Sequence, residues 1–160
     1  MTDERAQVAV ELFEKAYRMQ MDGELELAVS LYKQSIALHP TAEAHTFLGW
    51  TYRFQGKLDA AIEECKKAIA TDPDFGNPYN DIGAYLIEQG KPEEAIPWLE
   101  KAIVSRRYAA YHYPWYNLGR VYVALETYSK ARECFGKSLE TAPRYAPASD
   151  ALQKLRRLLQ

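Results

Sequence analysis

Three histidines, two cysteines and several paired carboxylates are the residues of this 160-residue chain that could carry catalysis or hold a metal. His39, His45 and His112 fall at expected turns or at the start of a helix. None has a serine, cysteine or carboxylate at a recurrent spacing that would build a nucleophile and its base. Cys65 and Cys134 lie far apart with no CxxC or His-rich run around either, against both a zinc site and a disulfide framework. Carboxylates such as Glu63-Glu64 and Glu93-Glu94 stand beside lysines and are expected on exposed helix faces. Gly49, Gly83 and Gly119 form no GxGxxG or GxxxxGK phosphate cradle. The expectation is no enzyme, no metal site and no cofactor.

Composition narrows the partners. A hydrophobic fraction of 48% with 26% charged residues is that of a soluble folded chain. The net charge of −2 removes any dominant attraction to nucleic acid or to an anionic membrane. No stretch reaches the roughly 20 apolar residues of a membrane span. The start, Met1-Thr2-Asp3-Glu4-Arg5, is polar with no apolar run behind it, which gives a cytoplasmic expectation.

The glycines belong to a repeat. Ala28, Ala61, Ala95 and Ala131 recur at intervals of 33, 34 and 36 residues, each preceded by 12 residues by Ala16, Gly49, Gly83 or Gly119. Prolines close three of these units, Pro40, Pro73 and Pro143, and Arg107 takes that slot in the third. Apolar residues at three- and four-residue spacing over Ala44–Phe54 and Leu58–Ala70 mark amphipathic helices. Each unit therefore reads as two helices. Gly23, Gly56 and Gly90 suit left-handed positions between them. Pro78, Pro92 and Pro114 suit first helical turns, and Asn77 an N-cap. The small residues are expected where paired helices cross, with Leu48, Ile82, Leu118, Tyr52, Leu86 and Tyr122 filling the space between units.

The run Trp115-Tyr116-Asn117-Leu118-Gly119-Arg120-Val121-Tyr122, with Ala131, Phe135 and Pro143, resembles the tetratricopeptide repeat (TPR) signature. His45, Leu48, Gly49, Tyr52, Ala61, Cys65, Ala68 and Pro73 repeat it, as do Tyr79, Ile82, Gly83, Leu86, Ala95, Leu99 and Ala102. The first copy, with Leu12, Ala16, Met19, Ala28, Tyr32 and Pro40, is weaker because Lys15 fills a normally apolar slot. This resemblance implies an all-α, right-handed solenoid of about nine helices. Its expected units are 9–41, 42–75, 76–111 (two residues longer) and 112–145, with 1–8 extending the first helix. Residues 146–160 read as a capping helix with Ala148, Leu152, Leu155 and Leu159 along one face; a partner-binding helix is the alternative. The insertion is expected to lengthen the second helix of the third unit or the loop Ser105–His112, and Pro97 to bend that helix. Whether the change is a tolerated variant or shapes a binding surface stays open.

The resemblance further implies that first helices line a concave groove for a peptide or protein partner. In that frame the groove carries Phe13, Tyr17, Trp50, Arg53, Phe54, Asn77, Asn80, Asp81, Ile87, Glu88, Tyr113, Tyr116, Asn117 and Arg120. Trp50 and Phe54 stand one turn apart on a face opposite Leu48 and Tyr52, and Arg53 and Arg120 could each clamp a carboxylate. The Lys/Asn/Asn/Lys/Arg set with which some members grip chaperone tails is absent: its slots hold Phe13, Tyr17, Phe47, Asn77 and Asp81, or Thr46, Trp50, Asp81, Tyr113 and Asn117. A non-catalytic interaction scaffold is the leading expectation. A self-assembling homo-oligomer is the alternative; single-stranded RNA binding is weakened by the net charge.

Overall fold

The computed structural model describes residues 2–160, with side chains from Glu4 onward; Met1, at the start of the expected 1–8 extension, lies outside them. Nine helices account for the regular structure of the described residues: α1 (Thr2–Met21), α2 (Leu25–Leu38), α3 (Ala42–Phe54), α4 (Leu58–Thr71), α5 (Asn77–Glu88), α6 (Pro92–Ile103), α7 (His112–Ala124), α8 (Tyr128–Thr141) and α9 (Ala146–Leu158). Consecutive helices pair as hairpins, α1 with α2 through α7 with α8, and α9 packs on α8. Further contacts join α1 to α3, α3 to α5 and α5 to α7, so α1, α3, α5 and α7 make one layer and their hairpin partners the other. The fold is an all-α solenoid.

Local chemistry explains each turn. Gly23, Gly56 and Gly90 hold φ of +82°, +77° and +76°, a region that strains a residue with a Cβ. The fourth hairpin has Glu126 at the same place, with φ +58°. Thr41 caps α3 by accepting the Ala44 N–H at 3.1 Å. Asn77, expected as a cap, is instead the first residue of α5, with Gly76 before it and no side-chain cap. Ser105 and Tyr108 press on Gly76 where a Cβ would project, so that position tolerates no larger capping residue.

The crossings are tight, in more than one way. Ala16 and Ala28 are both fully buried between α1 and α2. At the next crossing a Cβ on Gly49 would meet the Ala61 carbonyl oxygen at 3.0 Å and the Cys65 sulfur at 3.3 Å. The gaps beside Gly83 and Gly119 are filled differently, by the side chains of Leu99 and Phe135. Small residues thus meet small ones in the first two hairpins, whereas glycine receives a large side chain in the last two. Between hairpins, Leu48, Ile82 and Leu118 are buried, as nearest-neighbour stacking requires.

The two-residue surplus lies in the loop, not in the helix. α6 has 12 residues against 14 in α2, α4 and α8, and runs unbroken through the exposed Pro97. The chain from Val104 to Tyr111 then folds back on the preceding joint. Arg107 N–H donates to the Asp74 carbonyl at 2.9 Å and its own carbonyl accepts from Gly76 at 3.1 Å. The Arg107 side chain donates to Asp72 at 2.8 and 3.0 Å and to Glu43 at 2.6 Å. At the far end α9 buries Leu155 against Ala131 and Phe135, with Ala148 also buried and Leu152 half-buried. Leu159, expected on that face, is 55% exposed because the helix ends one residue earlier.

Candidate functional site

The layer of α1, α3, α5 and α7 carries an aromatic strip. Phe13 on α1 meets Phe47 on α3 edge-on at 5.3 Å, and Tyr17 meets the same ring at 5.8 Å. Phe47 contacts Trp50 at 5.9 Å, and Trp50 contacts Phe54 at 5.4 Å. The inner end of the strip is core: Phe13 also packs on buried Tyr32. The outer end faces solvent, with Phe54 48% and Tyr17 41% exposed and Trp50 half-buried. Phe47, the hub, was not among the expected groove residues, although its place three before Trp50 puts it on the same helical face.

Beyond the strip the layer turns polar. Arg53 does not offer a free fork, because Nε and Nη2 both donate to Glu88, at 3.1 and 2.8 Å. Arg120 Nη1 donates to Asn117 Oδ1 at 3.0 Å, Asn117 Nδ2 to Asn80 Oδ1 at 3.0 Å, and Asn80 Nδ2 to Asp81 Oδ1 at 3.5 Å. Four side chains from α7 and α5 thus form one directed series from a cation to a carboxyl. Asn80 and Asn117 are buried, so their mutual bond satisfies amides that would otherwise be costly to desolvate. Burial pushes the Asp81 carboxyl up to about 7, opposed only by the Asn80 hydrogen bond. Tyr85, Tyr108 and Cys65 lie close enough to sense that carboxyl, and burial first, then its charge, holds each of them above its usual range.

A second aromatic group closes this end. Tyr145 meets His112 at 4.8 Å, Tyr113 at 5.6 Å and Tyr116 at 5.5 Å, and the Arg120 guanidinium lies 5.9 Å from the Tyr116 ring. Tyr116 also leans on Phe135, which makes it partly core, while Tyr113 stays 43% exposed. Burial lowers the His112 pKa, favouring the neutral ring. Tyr145 lies between α8 and α9, outside the positions that the repeat assigns to a groove.

One polar pair corrects the reading of the charged residues. Glu64 is buried, not on a solvated face, and its Oε2 lies 2.8 Å from His45 Nδ1 while Oε1 accepts from Lys67 at 2.8 Å. Burial pushes the Glu64 carboxyl up, but the bonds from His45 and Lys67 outweigh it and hold the group below its usual range. The pair lies buried between α3 and α4. Among the described residues no group of three or more His, Cys, Asp or Glu side chains could hold a metal ion. Cys65 and Cys134 are free and buried; burial raises the Cys134 thiol to about 11.

Three models described as "Tetratricopeptide repeat" match this chain, over residues 42–75, 64–96 and 113–145. The chain belongs to the tetratricopeptide repeat family. Its relatives include the type IV pilus assembly protein PilF of Pseudomonas aeruginosa, 30% identical over 118 residues, which covers 73% of this chain and 47% of that protein. The small glutamine-rich TPR-containing protein 2 of Saccharomyces cerevisiae is 30% identical over 104 residues, 56% of this chain and 28% of that one. This TPR chain therefore spans less than half the length of either. A solved structure of P. aeruginosa PilF superposes with a TM-score of 0.85 at 26% identity, covering 96% of this chain and 68% of that one. The first hairpin lies outside the matched models. Its Lys15 points to solvent, which leaves the apolar slot of the TPR pattern unfilled there. No helix among the described residues is long and apolar enough to cross a membrane.

Proposed function

We propose that this TPR chain is a non-catalytic scaffold that holds a peptide or protein segment along the layer formed by α1, α3, α5 and α7. The observation that carries the reading is the aromatic strip from Phe13 through Phe47 and Trp50 to Phe54, anchored in the core at one end and open to solvent at the other. Rigid rings give contact area at low entropic cost, and an apolar strip left in solvent marks an interaction surface. The neighbouring Arg120 is partly exposed and, with one N–H on Asn117, keeps further donors for carbonyls of an extended backbone. Likeness to a protein named for type IV pilus assembly supports a place in building a multi-protein structure.

The test is co-purification from source-cell lysate with wild type and Trp50→Ala. Specific partners should be lost in the variant while its thermal melt stays within a few degrees. Full retention of every partner, or a collapse of the melt, would mean the strip is packing and nothing more.

A second reading, self-association, draws on the C-terminal end. Leu158 and Leu159 are 60% and 55% exposed there, beside an apolar pocket of about 370 Å³ that includes Val123, Ala151 and Leu158. Light scattering across concentration decides it, and a monomer throughout ends it.

A further inference from the structure

Asp81 is an ionisable group that the fold does not use. It caps no helix, forms no ion pair among the described residues, and accepts one long hydrogen bond, the 3.5 Å contact from Asn80. Its surroundings supply no positive charge. The groups near enough to feel its charge are Cys65 of α4, Tyr85 one turn on in α5 and Tyr108 of the fold-back loop; all three stay neutral at physiological pH. The guanidiniums of the flanking helices are engaged elsewhere, Arg53 of α3 on Glu88 and Arg120 of α7 on Asn117. Tyr85 is itself buried, and its hydroxyl has no hydrogen-bond partner. A carboxyl in this state destabilises the free protein, and such a cost is retained where a ligand relieves it.

We propose that Asp81 is the anchor for a lysine or arginine side chain of the docked segment. This deepens the groove reading and rests on it. The site remains partly open to solvent, so a cation can reach it. An arriving ammonium or guanidinium would find the carboxylate on one side and the partly exposed Tyr108 ring nearby for cation–π contact. The series from Arg120 to Asp81 is polarised so that its acidic end lies toward α5, next to the aromatic strip on α3. Neighbouring helices pack about 8–10 Å apart, and an extended chain advances about 3.3 Å per residue. The occupant is therefore a segment with an apolar side chain for Trp50 and Phe54 and a basic one two or three residues away. A strongly acidic segment is disfavoured.

A phage-displayed library of random 12-residue peptides, panned on the full chain, tests this. Bound clones should carry Lys or Arg two or three residues from an aromatic or leucine. For the best synthetic peptide, Lys→Gln in the peptide and Asp81→Asn in the protein should each weaken binding about tenfold. The two together should weaken it little further. Binding by the wild type should strengthen about tenfold from pH 6 to pH 8 as the carboxyl ionises, and Asp81→Asn should flatten that response. A circular-dichroism melt confirms that the variant folds, and Asp81→Ser serves if it does not. Peptides that lose binding with Trp50→Ala but show no basic preference and no effect of Asp81 overturn the anchor and leave the groove standing. Peptides indifferent to both Trp50 and Asp81 overturn the two together.

Discussion

The guanidinium of Arg107 lies 4.2 Å over the ring of Phe75, 32 positions earlier in the chain. The same side chain reaches Asp72 at the end of α4 and Glu43 at the start of α3. Arg107 occupies the slot where the other units carry a closing proline. A proline ends a unit by removing a donor. Arg107 ends it by supplying donors, and by tying the chain to the joint behind it.

Arg107→Ala should lower stability by about 1 kcal/mol, since an exposed stack and exposed ion pairs are each worth a fraction of that. The sharper readout is hydrogen exchange at Gly76, whose N–H donates to the Arg107 carbonyl. Its protection should fall in the variant while that of the α3 and α4 interiors holds. Unchanged protection at Gly76 would show that the backbone ties suffice without the side chain.

Gly119→Ala and Gly136→Ala should move stability in opposite directions. A Cβ on Gly119 would stand 2.5 Å from Phe135 Cδ1 and 2.8 Å from Cζ, whereas one on Gly136 meets nothing within 4 Å. Overpacking costs about 1–3 kcal/mol, against a helix-propensity gain of about 1 kcal/mol. Gly119→Ala should therefore lose stability in a urea titration and Gly136→Ala should gain. Equal effects would mean that α7 and α8 do not cross at Gly119.

Glu126→Gly should stabilise the fourth hairpin by about 0.5–1 kcal/mol. Glu126 is the one non-glycine residue with positive φ among those described, and glycine removes the steric penalty at some cost in unfolded-chain entropy. A variant less stable than wild type in denaturant titration would show that the Glu126 side chain contributes more than its backbone costs.

Asp81→Asn should change how stability depends on pH. The folded carboxyl sits near 7, above its unfolded value of 3.8, so the folded state binds the extra proton. Its contribution is whole below pH 4 and is lost as pH rises through 7, a penalty on the order of a few kcal/mol. The variant should match wild type near pH 4, then exceed it by a margin that grows up to pH 7 and is level by pH 8, in chemical denaturation. Parallel curves would mean that the carboxyl ionises freely in the folded chain.

The fold was legible because its constraints are periodic. Alanines and glycines at 33 to 36-residue intervals mark crossings, and the three turn glycines mark left-handed turns. The candidate site was legible only in part. Trp50 and Phe54 showed as a shared helical face, but Glu64 was hidden in a charged run. Its spacing of three from Ala61 and four from Ala68 was the signal that it points inward. Arg53 with Glu88 and Asn80 with Asn117 are pairings between units, set by the stacking geometry. The clasp of Arg107 on Glu43, Asp72 and Phe75 joins residues that no periodicity relates.

That clasp has a mechanical consequence. Curvature in a stack of hairpins accumulates from the rotation at every joint, so a stack with loose joints has no settled mouth. Here the joint between the α3–α4 and α5–α6 pairs is tied from outside by Arg107, which restricts how far the span between Trp50 on α3 and Asp81 on α5 can vary. A segment docked as proposed across both residues would meet a joint already tied, and less bending would be needed to close around it.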